Sequence, residues 1–328
     1  MIDNNFDNTT KEVANMETYR IGQIIREERV RKKISQEELS FGICSVATLS
    51  RIENGVQKPS LKVEEALLER LGHSTENLII YADSSEIRKH QLEIEIKAGI
   101  MHSEDINNLL AEYKNLISTR GTELILELQF VKMSEAIEAL YTGKWDCEKA
   151  LAKLEEALLL TVPNYSKENL ECIRLLTGAE LQILNNIAII YAQECKLPEA
   201  IRTFEFLVSF LERGTLNVEA PGKYYPMLLY NLMKLLIKTN RFAEAKVYGR
   251  KGLDYCTKYG RMTCFGELLY YSGIACAGLN EKEAASMYYR QAGSLFEAMG
   301  QLELADSIYS ELLSLDNPIA ERKVKVTI

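Results

Sequence analysis

After residue 100 a pattern of apolar and small residues recurs along the chain, and it limits the fold to a small set of helical architectures. The segments NIAIIYAQECKLPEAIRTF (186–204) and NLMKLLIKTNRFAEAKVYG (231–249) share an initial asparagine, a spaced apolar stretch, a polar turn and then Glu-Ala. Residues 270–289 repeat the pattern one residue shorter, residues 137–154 are a looser copy, and residues 298–313 are a terminal half copy. Apolar residues at three- and four-residue spacing predict helices, so this region is expected to consist of helical hairpins.

These copies are typical of tetratricopeptide-like hairpins, whose ideal period is about 34 residues. The anchoring residues of the copies are Ala150, Ala200, Ala245 and Ala284, which lie 50, 45 and 39 residues apart. The repeats are therefore long and degenerate. The small residues that would let paired helices approach closely are Ala188, Ala200, Ala245, Gly273 and Ala284. Stacked hairpins of this kind form a right-handed superhelix, and its concave surface usually binds an extended peptide or protein segment.

The N-terminal region predicts a smaller domain centred on SQEELSFGICSVATLSRIENGVQKP (35–59). Ser35 and Glu38 have the spacing of a capping box, which predicts a short helix beginning at Gln36. Ser45 is placed to cap a second helix, and Gly55 is placed to end it. Amphipathic segments on both sides supply further helices, so we predict a helix-turn-helix domain.

The distribution of charge is uneven. The whole chain has a formal charge of −8, but residues 17–60 contain eight arginines or lysines and six glutamates, a net charge of +2, so the other residues carry −10. This balance argues against nucleic-acid binding along the whole molecule. It is compatible with a local DNA-binding surface on the N-terminal domain.

The motifs of this domain resemble those of a known family. SQEEL, the short turn and TLSRIENG look like the Cro and repressor type of helix-turn-helix, and ELSFGICSVATLSRIENG is similar to the form found in peptide-sensing regulators of the PlcR and Rgg kind. The resemblance implies that the first turn of the second helix faces the major groove and that Arg51 reaches a phosphate or a guanine edge. The candidate DNA-binding residues are Gln36, Ser45, Val46, Ala47, Thr48 and Arg51.

The chemistry of these side chains is compatible with DNA binding. Arginine can make a bidentate pair with guanine, whereas Val46 and Ala47 can read only a thymine methyl group or a close-packed shape. The alternative is that Thr48 is merely an exposed helix residue. The resemblance also implies a structural ion pair between Arg29 and Glu53.

Candidate ligand-binding residues lie in the repeats. Asn186 and Asn231 occupy equivalent positions in consecutive copies, Asn185 adjoins the first, and a carboxamide can both donate to and accept from a peptide backbone. In the resembled family, asparagines at positions similar to Asn185 and Asn231 hold the signalling peptide. Lys223, Lys234 and Lys238 are candidates to neutralise a peptide carboxylate, and the resemblance places Tyr271 near a ligand-contacting position. The alternatives are asparagines that bond a neighbouring helix, a solvated lysine and a core tyrosine.

Several classes of protein are disfavoured by the sequence. The seven cysteines form no CxxC pair, and the chain contains no HExxH, GxSxG or P-loop motif, so we expect no metal, no cofactor and no enzymatic activity. No apolar run is long enough to span a membrane, and the first residues do not read as a signal peptide, which favours a cytoplasmic protein.

We therefore predict an all-α protein with an N-terminal helix-turn-helix domain followed by the repeat superhelix. Its predicted function is a quorum-sensing-type transcriptional regulator that binds operator DNA as a homodimer under the control of a short signalling peptide. The alternative is a protein-interaction adaptor that the helix-turn-helix tethers to DNA. The predicted divisions are a disordered tail (1–16), the helix-turn-helix domain (17–75), a connecting helix (76–98), the repeat domain (99–316) and a C-terminal tail (317–328).

Overall fold

The computed structural model of the chain describes residues 21–73, 84–101, 105–117, 124–213 and 224–315. These residues form helices joined by turns, and no strand occurs among them, which confirms the all-α prediction. Residues 21–31 form α1, and a short 3₁₀ helix spans Leu170–Cys172. The remaining helices are α2 (Gln36–Ser40), α3 (Val46–Glu53), α4 (Leu61–Arg70), α5 (Ser84–Met101), α6 (Asn107–Leu116), α7 (Leu124–Tyr141), α8 (Cys147–Leu159), α9 (Gly178–Gln193), α10 (Leu197–Arg213), α11 (Tyr225–Lys238), α12 (Phe242–Tyr259), α13 (Phe265–Gly278), α14 (Lys282–Ala298) and α15 (Leu302–Ser314).

The chain divides into two compact units, Met1–Ile187 and Ala188–Ile328. The predicted tails at 1–16 and 317–328 lie outside the described residues, as does the beginning of the predicted connecting helix. Helix α5 covers the remainder of that segment. None of the helices in the described ranges is long and apolar enough to cross a membrane.

The caps predicted for the helix-turn-helix are confirmed. Ser35 Oγ accepts a hydrogen bond from the Glu38 backbone N–H at 3.0 Å, and the Glu38 carboxylate accepts one from the Ser35 N–H at 2.9 Å. Ser45 Oγ caps α3 by accepting from the Thr48 N–H at 3.0 Å. Gly42 and Gly55 both have positive φ, at 66° and 69°, so each supplies the left-handed residue that its turn requires.

These caps set the faces of α2 and α3 that enter one apolar core. The core of the N-terminal domain also includes Leu126 of α7 and is contacted by the half-buried Leu175, so residues far along the sequence complete it. Its buried members are Ile25, Ile34, Leu39, Ile43, Leu49, Ile52, Val63, Ala66, Leu67, Leu68, Leu71 and Leu126.

Beyond this domain, the first unit contains the hairpin predicted from the looser copy, α7 with α8, and one further helix pair. Helices α5 and α6 pair, α7 and α8 pair, and Ala150 is fully buried at the second of these contacts. Lys89 of α5 donates to the buried carboxylate of Glu127 on α7 at 2.7 Å, which joins the two pairs. Gln129 donates to Thr161 Oγ1 at 2.6 Å and so ties α7 to the segment that follows α8.

The second unit is built from helices that pack against their neighbours in sequence, and four turns of the chain repeat one geometry. In each, a residue with φ between 58° and 76° follows the helix. The next N–H donates to the carbonyl five residues earlier at 2.8–2.9 Å, which is the bond of a Schellman motif. A buried alanine lies five residues beyond the positive-φ residue. The positive-φ residues are Cys195, Asn240, Asn280 and Gly300, and the alanines are Ala200, Ala245, Ala285 and Ala305.

This geometry corrects one part of the repeat register. The Glu-Ala pairs placed Ala284 in the series of anchoring residues, and that prediction is wrong by one position. Ala285 is fully buried, whereas Ala284 is only half-buried. In each turn, the buried alanine lies five residues beyond the positive-φ residue. Asn280, in the turn after α13, corresponds to Asn240, so the equivalent alanine is Ala285. The prediction for Gly273 is confirmed, because a Cβ there would lie 2.6 Å from the Tyr289 ring.

Candidate functional site

Helix α3 presents an open face on the N-terminal domain. Ser45, Val46, Ala47 and Arg51 are exposed, and Thr48 is half-buried with its Oγ1 2.9 Å from Ser45 Oγ. The opposite face of the helix is buried in the domain core. The structure therefore brings these predicted DNA-binding residues together on one accessible surface.

A polar framework behind α3 fixes its orientation. Glu53 is buried, and its carboxylate accepts from Arg29 Nε at 2.6 Å and from Arg29 Nη2 at 2.9 Å, which confirms the predicted ion pair. Arg29 Nη1 also donates to the Ile34 carbonyl at 3.0 Å. The hydrogen bonds to Glu53 raise the pKa of Arg29 above its ordinary value, so the guanidinium stays charged. This pair joins α1 to the C-terminal end of α3.

Gln36, the sixth candidate for DNA binding, takes part in that framework. Its Nε2 donates to Glu53 Oε2 at 2.7 Å, and the side chain is half-buried. The first turn of α2 is therefore tied to the last turn of α3. A contact between Gln36 and the DNA backbone stays a prediction.

Two of the asparagines predicted to bind peptide, Asn185 and Asn186, lie on α9 within the first unit. Asn185 is buried, with 6% of its surface exposed, and Asn186 is half-buried. Asn186 Nδ2 donates to the Gln182 carbonyl at 2.8 Å, one turn earlier in the same helix. The bond within α9 differs from the predicted alternative of a bond to a neighbouring helix. Peptide binding by these two asparagines stays a prediction.

The candidates on the second unit surround a tyrosine that the sequence did not single out. Asn231 and Lys234 are half-buried on α11, and Tyr271 is buried on α13. The ring of Tyr230 connects them, since it lies edge-on to Tyr271 with centroids 5.4 Å apart and below the Lys234 ammonium at 5.3 Å. We call the surface formed by these four residues the α11–α13 surface.

The α11–α13 surface combines a half-buried lysine with nearby carboxylates, since Glu311 and Glu267 both act on Tyr271. Burial lowers the pKa of Lys234, and within the described part of the chain no carboxylate forms an ion pair with it. Burial also raises the pKa of Tyr271 to about 12, so its hydroxyl stays protonated at neutral pH. A partly desolvated ammonium beside aromatic faces can bind a carboxylate more strongly than a fully solvated one.

A further contact of the α11–α13 surface involves Tyr270. Its ring lies 5.2 Å from that of Tyr271, and its hydroxyl donates to the Glu311 carboxylate of α15 at 2.6 Å. The predicted alternative for Tyr271 was a place in the core, and its burial agrees with that alternative in part. The spacing of Tyr230 and Lys234, four residues apart on one helix, is the signal that could have identified Tyr230 from the sequence.

No site for a metal ion is apparent on the residues that the structure places. Among them, no group of three histidine, cysteine, aspartate or glutamate side chains is arranged to hold one.

Comparisons with known proteins agree with this architecture. The sequence model of the RNPP family C-terminal domain matches residues 100–314, and that of a helix-turn-helix family matches residues 25–78. No curated protein matches the chain.

Solved structures with a similar fold include Bacillus thuringiensis PlcR. In complex with the peptide PapR7 and DNA, it is 23% identical over 88% of this chain and 99% of that one, with a TM-score of 0.56. In its apo form it is 23% identical over 92% of this chain and 100% of that one, with a TM-score of 0.54. These likenesses show a shared fold.

Proposed function

The chain belongs to the RNPP family, and on that premise we propose that it is a transcriptional regulator that binds operator DNA under the control of a short signalling peptide. The observation that carries the proposal is the exposed face of α3, whose orientation is fixed by the buried Arg29–Glu53 pair. It occurs in a chain of which the larger part matches this family. The related PlcR, which has been solved with a peptide and DNA together, supports assigning both ligands. Family membership favours this regulator over the protein-interaction adaptor.

The proposed DNA interface is the exposed face of α3. Arg51 binds a guanine edge or a phosphate, the first turn of α3 enters the major groove, and Gln36 contacts the backbone. One helix-turn-helix domain of this size contacts only a few base pairs, so tight binding requires a homodimer on a two-fold operator. The protein acts in the cytoplasm by binding alone and has no catalytic role.

The proposed peptide contacts include the α11–α13 surface. Asn231 donates to and accepts from the peptide backbone, Lys234 binds a carboxylate of the peptide, and Tyr271 with Tyr230 provides an apolar contact. Asn185 and Asn186 of α9 are the proposed peptide contacts of the first unit. The half-buried Lys234 beside aromatic rings is the specific support for an acidic group in the ligand.

The test begins with DNA. The full-length protein and its Arg51→Ala variant are each used to select duplexes from a random-sequence library, and sedimentation velocity gives the mass of the bound species. We expect the wild type to enrich a two-fold symmetric site bound by two chains, and Arg51→Ala to relax the preference at one position of each half-site. Failure of the wild type to enrich any sequence would contradict operator binding.

The peptide is tested separately, so that the two ligands can fail independently. A pool of synthetic peptides of five to ten residues is screened against the full-length protein by fluorescence polarisation. We expect the binders to carry a carboxylate, and amidation of their C-termini or acidic side chains should weaken binding. A folded protein that binds none of the pool would contradict peptide sensing.

A further inference from the structure

A buried arginine connects the helix-turn-helix to α9. Arg70, the last residue of α4, donates through Nη1 to the carbonyls of Leu39, at 3.2 Å, and Phe41. Both acceptors lie where α2 gives way to the turn that leads into α3. Through Nη2, Arg70 donates to the Thr161 carbonyl at 3.3 Å and to Glu180 Oε1 at 2.9 Å. One guanidinium therefore holds the turn of the DNA-binding motif and a residue of α9 together.

Glu180 is itself fixed by the start of α9. Its Oε2 accepts from the Thr177 N–H at 2.6 Å, and its own N–H donates to Thr177 Oγ1 at 3.3 Å, the two bonds of a capping box. The side chains of Arg70 and Glu180 are 3% and 0% exposed, so the pair is shielded from solvent. One oxygen of the Glu180 carboxylate therefore completes the helix cap, and the other accepts from Arg70.

Other contacts bring the same parts of the first unit together. A Cβ on Gly42 would lie 2.5 Å from the Cα of Thr161, so the turn of the motif approaches this backbone as closely as a glycine permits. The Glu69 carboxylate accepts from the Gly178 N–H of α9 at 2.8 Å. The DNA-binding motif is thus packed against the start of α9 and the residues before it.

We propose that the Arg70–Glu180 ion pair couples peptide binding on α9 to the position of the DNA-reading turn. The inference rests on the proposed function, because it takes Asn185 and Asn186 as peptide contacts. They follow Glu180 by five and six residues on the same helix, roughly 8 to 9 Å along its axis. A displacement of α9 on peptide binding moves the Glu180 carboxylate, and with it the guanidinium that holds the Leu39 and Phe41 carbonyls.

The burial of the pair explains why it can transmit a displacement. A solvated ion pair would exchange its partners for water when α9 moves, and the turn would keep its position. Separating a buried pair leaves both charges uncompensated, so Arg70 follows Glu180. Glu180 and Arg70 are therefore positioning residues, which act on DNA recognition through the turn between α2 and α3.

The test measures the factor by which peptide changes operator affinity. The probes are a duplex selected by the wild-type protein from a random library and the tightest binder from the peptide pool. Two variants of the full-length chain alter the pair. Glu180→Gln removes the charge and keeps one acceptor oxygen, which serves Thr177 or Arg70 but not both. Arg70→Lys keeps the charge but cannot span the four carbonyl and carboxylate acceptors. Glu138→Gln, which alters a buried carboxylate of α7 paired with Lys144, is the matched control.

We expect peptide to change the operator Kd of the wild type and of Glu138→Gln by fivefold or more, within the usual range of allosteric coupling. In Glu180→Gln and Arg70→Lys the change should fall below twofold, while the peptide Kd measured without DNA stays within twofold of the wild-type value. A purely structural role would lower the melting temperature and leave the coupling factor unchanged.

The outcomes separate the inference from the proposed function. If the folded variants respond to peptide as the wild type does, the inference is overturned and the proposed function stands. If one variant fails to fold, the other decides. If no peptide of the pool changes the operator affinity of the wild type, the proposed function is overturned, and the coupling by Arg70 and Glu180 with it.

Discussion

Arg29 and Glu53 form a bidentate ion pair, with Nε–Oε1 and Nη2–Oε2 distances of 2.6 and 2.9 Å, at a point where Glu53 is almost fully buried. The pair joins α1 to α3, which are separated in the sequence by α2. It thereby orients α3, the helix proposed to bind DNA. Removing one partner leaves the other charge buried without compensation, so the pair has a direct consequence for stability.

Glu53→Ala should lower the free energy of unfolding by about 3 kcal/mol, because it strands the Arg29 guanidinium. Arg31→Ala is the matched control, since Arg31 is an exposed arginine of α1, the helix that carries Arg29, and pairs with Glu28. This change should lower the free energy of unfolding by less than about 1 kcal/mol. Urea unfolding of each full-length variant gives the values. Equal losses for the two variants would contradict a special role for the buried pair.

The adjacent alanines Ala284 and Ala285 test the corrected repeat register. Ala285→Leu should destabilise the protein by about 1 to 3 kcal/mol, because three further carbons would have to enter a fully buried position. Ala284→Leu, at a half-buried position, should change stability by less than about 0.5 kcal/mol. The measurement is the chemical unfolding midpoint of each variant. A larger loss for Ala284→Leu would restore the register read from the Glu-Ala pairs.

Stability should depend on pH through Glu65 of α4. Burial, with the nearby Glu93 and Glu69 carboxylates, raises the pKa of Glu65 to about 7 from an ordinary value of 4.5. An acid with a raised pKa in the folded state contributes stability that is present below pH 4.5 and is lost as the pH rises through 7. Relative to Glu65→Gln, the wild type should therefore lose on the order of 2 to 3 kcal/mol between pH 4.5 and pH 8.

Unfolding free energies of the wild type and of Glu65→Gln, measured from pH 4.5 to 8, test this expectation. Glu95→Gln is the control, because Glu95 is an exposed carboxylate of α5. A constant difference between wild type and Glu65→Gln across the range would show that Glu65 keeps an ordinary pKa.

The α11–α13 surface should lose affinity for its peptide when single side chains are removed. Asn231→Ala should weaken binding by about tenfold or more, because a buried backbone group of the peptide loses its partner. Lys234→Met keeps the apolar stem and should weaken binding of carboxylate-bearing peptides, but not of their amidated forms. Lys282→Ala, which alters an exposed lysine at the start of α14, is the control and should leave the Kd within twofold. Unchanged affinity in a folded Asn231→Ala would remove this residue from the site.

Local features of the fold could be predicted because they depend on neighbouring residues. The capping box at Ser35 and Glu38, the cap at Ser45 and the left-handed Gly55 follow from backbone chemistry within one turn. The helical repeats followed from apolar spacing in the same way. The register of Ala285 was missed because the Glu-Ala pair was taken as the reference instead of the left-handed Asn280, which sets the helix contact.

The contacts that position the sites could not be predicted in this way. Arg70 and Glu180 are 110 residues apart in sequence, and nothing in the periodicity of either helix indicates that they meet. The segment TGAE at 177–180 has the spacing of a capping box, but that spacing carries no information about the bond between Glu180 and Arg70. Tyr230 was missed because an aromatic residue on an apolar helix is usually part of the core.

The most direct test of the account is the operator affinity of the full-length protein, measured by fluorescence anisotropy with and without saturating peptide. The duplex is the one that the protein selects from a random library, and the peptide is its tightest binder from the synthetic pool. We expect saturating peptide to change the operator Kd by at least fivefold, a typical lower limit for allosteric coupling. A Kd that stays within twofold at saturating peptide would contradict it.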